Sequence, residues 1–256
     1  MRQRSLRVAG LLALALAAAC SESPPPARTP PPDAKRVDPA AAGRIAGRIA
    51  IEGTVPENPS IKTDSDPACA RANQGGLSGE TFVAANGGLD NVFVYLKDGL
   101  GQYYFDTPAE AVKLDQRGCR YLPHVFGAQV GQPIEIANGD ATLHNVNAAA
   151  AVNRGFNFAQ PLQGVKNTTT FTAPEVMVRF KCDVHGWMNA YAGILDHPYF
   201  AVSAGGGRFE LKNVPAGTYT VEAWHEKLGT QTQQVTLAAK EAKELSFTFK
   251  ASSATP

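Results

Sequence analysis

Cys182, His185 and Met188 fall within seven residues, Cys182-Asp183-Val184-His185-Gly186-Trp187-Met188, and put a thiolate, an imidazole and a thioether in one short loop. Soft sulfur donors beside an imidazole select copper over harder cations. One more histidine is required. His144, in Asn138-Gly139-Asp140-Ala141-Thr142-Leu143-His144, ends an alternating, strand-like stretch that strand pairing would bring against the loop. His144, Cys182, His185 and Met188 are therefore the expected metal ligands. Two imidazoles and a thiolate in a plane, with a weak axial thioether, hold copper between the geometries that its two oxidation states prefer. All four positions come from protein, which leaves no open coordination position for a substrate. The expected chemistry is one-electron transfer, without catalysis.

Blander readings of the same residues exist. A Cys-x2-His pair also fits a buried thiol beside a surface histidine, or half of a zinc knuckle. Structural zinc wants four Cys or His ligands from paired short motifs, and the chain has no second Cys-x2-Cys or His-x3-His. A methionine at a strand end is often core filler, so Met188 is the ligand least specified by pattern.

From about Gly118 to Asp196 the chain resembles the blue-copper, or cupredoxin, family, and its Cys-x2-His-x2-Met spacing is most similar to the amicyanin branch. The resemblance rests on Tyr121, Pro123, the run Val130-Gly131-Gln132-Pro133-Ile134-Glu135-Ile136-Ala137-Asn138-Gly139-Asp140, His144-Asn145, Phe180-Lys181-Cys182 and Ala192-Gly193-Ile194-Leu195. It implies one type 1 copper in a Greek-key β-sandwich. It further implies a hydrogen bond from Asn145 to the loop carrying Cys182, which would fix ligand orientation. A redox partner protein such as a cytochrome would meet an exposed edge of His185.

The first residues carry Arg2, Arg4 and Arg7, an apolar run from Val8 to Ala19, then Cys20. This reads as a secretory signal over residues 1–19, too short for a membrane-spanning helix. Cys20 after small residues resembles a bacterial lipobox, although Leu16 sits one place early and Ala17-x-Ala19 also suits an ordinary signal peptidase. A lipidated Cys20 followed by Ser21 implies a periplasmic, outer-membrane lipoprotein of the bacterial envelope. Residues 20–43 form a tether. Seven of the eighteen prolines lie there, and such segments extend at ~3.1 Å per residue and hold a domain away from its anchor.

With Cys20 assigned to lipid and Cys182 to metal, Cys69 and Cys119 remain as the disulfide pair expected of an exported chain. Removal of Arg2, Arg4 and Arg7 takes the formal charge from +1 to −2. No basic patch points to nucleic acid.

Beyond Gly43 the signals are nearly all β, short alternating stretches punctuated by Gly, Pro, Asn and Asp, and the fold class expected is all-β. Helix is expected at most as single turns at Pro108–Val112 and Ala148–Ala151. Gly207–Trp224 reads as a hairpin turning at Pro215-Ala216-Gly217. It resembles the carboxypeptidase regulatory-like, or transthyretin-like, module, a small β-sandwich. Gly43–Ile49 and Val92-Phe93-Val94 look like opening strands of the same module. The cupredoxin segment then interrupts that module and the two ends of the chain pair around it; the alternative is two consecutive domains split near Tyr199, a cupredoxin-like domain over 44–198 and the regulatory-like module over 199–250, with residues 44–99 belonging to either.

His124, His197 and His225 read by default as hydrogen-bonded structural residues, with a second metal site as the alternative. Two other functions compete with electron transfer. Copper delivery usually uses Met-rich or His-rich stretches, and three methionines argue against it. An envelope scaffold with a vestigial site is the structural alternative. A multicopper oxidase or reductase needs additional histidine clusters that the sequence lacks.

Overall fold

The structure, a computed structural model, describes residues 29–251. The signal segment and Cys20 lie outside them. The chain runs β1 (Gly43–Glu52), β2 (Ser60–Ile61), α1 (Pro67–Ala72), β3 (Leu77–Ser78), β4 (Ala84–Ala85), β5 (Gly88–Leu89) and β6 (Phe93–Asp98). It continues through β7 (Val112–Gln116), β8 (Tyr121–Leu122), β9 (Val125–Gln129), β10 (Ile134–Asn138), β11 (His144–Ala149), β12 (Phe156–Gln160) and β13 (Lys166–Thr169). The last elements are β14 (Glu175–Lys181), β15 (Asn189–Leu195), β16 (Phe200–Val202), β17 (Arg208–Val214), β18 (Gly217–His225), β19 (Gly229–Leu237) and β20 (Ala242–Lys250). The described residues are all-β apart from the short α1. No helix among the described residues is long and apolar enough to cross a membrane.

Two sandwiches form around separate cores. In the first, the sheet β13-β10-β7-β8 faces the sheet β12-β11-β14-β15-β9. Alternation in Ile134/Ile136, Val146/Ala148 and Val178/Phe180 buries one face of each strand, and Cys182 and Met188 join the same core. The second sandwich draws on both ends of the chain. β1 pairs antiparallel with β17 and parallel with β20 along its whole length, while β6 lies between β16 and β18. Residues 99–199 thus leave the second sandwich from β6 and return to it at the adjacent β16.

β6 explains why Phe93-Val94-Tyr95-Leu96 is a continuous apolar run and not an alternating one. Val94 and Leu96 face the second core, whereas Phe93 and Tyr95 face a seam against Val125 and Leu195 of the first sandwich. A strand covered on both sides needs apolar residues at every position.

Three local expectations are corrected. The arms flanking Pro215-Ala216 do not form a hairpin: β17 belongs to the β1 sheet and β18 to the β6 sheet, so this turn carries the chain across the sandwich. Tyr219 Oη donates to the Pro215 carbonyl at 2.6 Å and holds that corner. The hairpin is β18–β19 instead. Among the described residues the single helix is not at 108–112 or 148–151, where Ala148 and Ala149 extend β11; it is α1, capped by Asp66 with Pro67 in its first turn. Finally, residues 33–42 are not free tether. Lys35 bridges the 102–104 backbone, and Arg36 grips Asp106 through two nitrogens at 2.6 and 3.1 Å while stacking over Tyr104.

Candidate metal centre

The site is built where two neighbouring strands of one sheet end. β11 begins at His144, and β14, its antiparallel partner, ends one residue before Cys182. The loop to β15 is closed by Cys182 N–H donating to Met188 O at 3.2 Å and Met188 N–H donating to His185 O at 2.8 Å. This tight turn folds His185 back over the thiol.

The nitrogen and sulfur donors of His144, Cys182 and His185 lie within 4.8 Å of one another, all buried. His144 Nδ1 and His185 Nδ1 face each other at 3.0 Å, and Cys182 Sγ is 3.9 Å from His185 Nδ1. Met188 is buried in the core cluster that holds Cys182. Asn145 supports the thiol twice: its backbone N–H donates to Sγ at 3.4 Å, and its Oδ1 accepts from Asp183 N–H at 2.7 Å.

Behind each imidazole stands a carboxylate. Asp140 Oδ2 accepts from His144 Nε2 at 2.9 Å, and Asp66 Oδ2 accepts from His185 Nε2 at 3.2 Å. These contacts put a proton on each Nε2 and turn the two Nδ1 atoms toward the thiol. Neither aspartate was singled out by sequence. Asp140 lies four residues before His144, but Asp66 lies 119 residues from His185 and carried no signal beyond its nearness to Cys69.

The electrostatics suit a cation. Burial opposes ionisation of Cys182, yet hydrogen bonds from His144 and His185 and from the backbone N–H groups of Asn145 and His185 bring its pKa down to about 5. Burial likewise disfavours the charged form of His144, but Asp140 and the thiolate raise it to about 9. The site therefore favours a thiolate with positive charge held beside it. A soft cation displacing that proton meets one thiolate and two imidazoles already converged, which fits copper.

One expectation about this site fails. His185 is only 2 % exposed, although its neighbour Val184 is 49 % exposed. Its outward edge is covered by Asp66 and by Cys69, whose Sγ is 3.6 Å from Nε2. The covering segment is fixed by the disulfide Cys69–Cys119.

The other histidines are occupied elsewhere. His124 Nδ1 faces Asn189 O and its Nε2 faces Glu226 at 2.6 Å. His197 Nε2 donates to Leu96 O, and its Nδ1 accepts from Tyr199 N–H. His225 Nε2 donates to Thr81 O, while Nδ1 accepts from the N–H groups of Lys227 and Leu228.

A family model described as polysaccharide lyase family 4, domain II, matches residues 165–245, a stretch from β13 into β20 that crosses from one sandwich to the other. No curated protein matches the chain. Among solved structures, an oxidised proline-to-glycine variant of amicyanin is similar at 22% identity over 33% of this chain and 81% of that one, with a TM-score of 0.30. A purple cupredoxin from Nitrosopumilus maritimus is similar at 18% identity over 32% of this chain and 98% of that one, TM-score 0.28. A copper-containing nitrite reductase from Thermus scotoductus is similar at 17% identity over 59% of this chain and 28% of that one, TM-score 0.30.

Proposed function

We propose that this chain is an exported copper protein that carries single electrons between redox partners, one of them of the cytochrome class. The observation that carries this reading is the convergence of His144 Nδ1, His185 Nδ1 and Cys182 Sγ in one buried pocket. Copper held there supplies the one-electron couple. His144, Cys182 and His185 would hold it, with Met188 as a further soft sulfur donor.

The protein's own part is to keep the ligands from moving. Asn145, the closed loop 182–188 and the carboxylates of Asp66 and Asp140 hold the donors in place, so little needs to rearrange when the charge changes. With the edge of His185 covered, the half-buried ring of Trp187, 5.1 Å from it, is the aromatic group that leads outward from the ligands. No catalytic step is assigned. Attachment through a lipidated Cys20 at the bacterial outer membrane completes the proposal, and blocking lipoprotein processing should leave an uncleaved precursor.

Titrating the purified protein with Cu(II) tests the reading. Thiolate-bound copper gives an intense visible charge-transfer band that a reductant bleaches and an oxidant restores. Copper binding without a reversible one-electron wave would indicate delivery instead, and no binding at all would leave only a scaffold.

A further inference from the structure

We infer that Asp66 is a positioning residue of the metal centre, which orients His185 and seals its outer edge, and that the Cys69–Cys119 disulfide braces it together with Asp140. The inference rests on the copper reading above and adds residues to it that the ligand motif does not contain.

The geometry singles out Asp66 in three ways. Its Oδ1 accepts the backbone N–H groups of Ala68 and Cys69 at 2.7 and 3.2 Å, so the carboxylate cannot swing away with its own rotamer. Thr142 Oγ1 donates to the other oxygen at 2.6 Å, two residues before His144. That same oxygen receives His185 Nε2. Burial works against the charged form, but these hydrogen bonds hold the carboxyl at about 2, and it is an anion at any neutral pH.

The second carboxylate is held by the other half of the disulfide. Asp140 accepts N–H groups from Gly118 and Cys119 at 2.7 and 2.8 Å. Each cysteine of the bond thus donates its own backbone N–H to a different aspartate, and each aspartate fixes a different histidine. Asn73 Nδ2 adds a tie between the two segments by donating to the carbonyls of Cys69 and Gly118. The segment that carries Asp66 is remote from the ligands in sequence, so the covalent link is what keeps it over the ring.

Two effects on the metal follow. An anionic acceptor at Nε2 fixes the tautomer and makes Nδ1 a stronger donor. Cys182, Asp66 and Asp140 also surround the centre with negative charge, which favours Cu(II) over Cu(I) because a buried excess of one sign is costly.

The test uses the full processed protein in detergent. Asp66→Asn keeps an N-cap for α1 and removes the charge. It should weaken Cu(II) binding about 10–100-fold. With Cu(I) binding unchanged, each tenfold loss raises the reduction potential by about 59 mV. Asp66→Glu should recover part of the loss, and Thr142→Val should shift the potential in the same direction by less. In metal-free protein, nitrogen NMR should find the His185 proton on Nε2. A potential and Cu(II) affinity equal to wild type in Asp66→Asn, with the charge-transfer band intact, would overturn the assignment, as would a proton on Nδ1 of His185. If wild type gives no band, the copper reading itself fails, and the His185 tautomer alone then decides the role of Asp66. Should Asp66→Asn not fold, Thr142→Val carries the test.

Discussion

Gly127 on β9 pairs in register with Gly193 on β15, and both bare positions lie beneath aromatic rings of the second sandwich. A Cβ at Gly193 would come within 2.2 Å of the Phe93 ring, and one at Gly127 within 2.3 Å of Phe200. Phe93 and Phe200 stack on each other at 5.7 Å, so the two rings enter the seam as a unit. Gly193→Ala should cost about 1–3 kcal/mol through overpacking. Urea unfolding would show this as a lowered midpoint; an unchanged midpoint would mean the seam is looser than the contact implies.

The seam also contains a hydrogen-bonded pair, His124 Nε2 and Glu226 Oε1 at 2.6 Å. Burial works against ionisation of Glu226, but its hydrogen bond and charge interaction with His124 hold its pKa below the ordinary carboxylate value. A carboxyl depressed in the folded state stabilises folding above its unfolded value of about 4.3, and that stabilisation is lost as pH falls through the folded value. Thermal melts of wild type and Glu226→Gln should therefore be well separated at neutral pH and converge in acid. A gap that stayed constant down to pH 3 would contradict the pairing.

The ligands make a graded prediction. Cys182→Ser should abolish the visible band on copper addition, because the band belongs to the thiolate. Met188→Ala should retain colour while shifting the reduction potential, as befits a weak axial donor. Optical titration and voltammetry read the two outcomes separately, and a coloured Cys182→Ser protein would remove the thiolate from the site.

Removing the disulfide with Cys69→Ser and Cys119→Ser should lower stability by about 4 kcal/mol, the chain-entropy value for a loop of this length, here a separation of 50 residues. Denaturant unfolding of oxidised wild type and the double variant measures it. Equal stabilities would show that the bond contributes nothing by restricting the unfolded chain.

The convergence of His144, Cys182 and His185 was legible because two of them share one loop, where spacing alone fixes proximity, and because a copper reading of that loop asks for one more histidine at a neighbouring strand end. Asp66 was not legible. It reaches His185 through a disulfide and a threonine contact, neither of which leaves a periodic trace around residue 66. That the two ends of the chain pair was legible only through the resemblance of Gly43–Ile49 to an opening strand of the C-terminal module; the alternation of Ile45, Ile49 and Ile51 shows a half-buried strand but not that β20 lies beside it. The error at Pro215-Ala216-Gly217 arose there too: two alternating arms around a tight turn look alike whether they pair with each other or with separate sheets. In α1 the Asp66-Pro67 start was readable, but six residues gave no apolar period to follow it.

Because residues 99–199 depart from β6 and come back at its immediate neighbour β16, the inserted body is fastened by two chains side by side and pressed down by the paired rings of Phe93 and Phe200. A body hung on one strand can swivel, whereas this one has no free axis. Whatever approaches the pocket of His144, Cys182 and His185 therefore meets a face whose angle to the second sandwich is set by that double fastening.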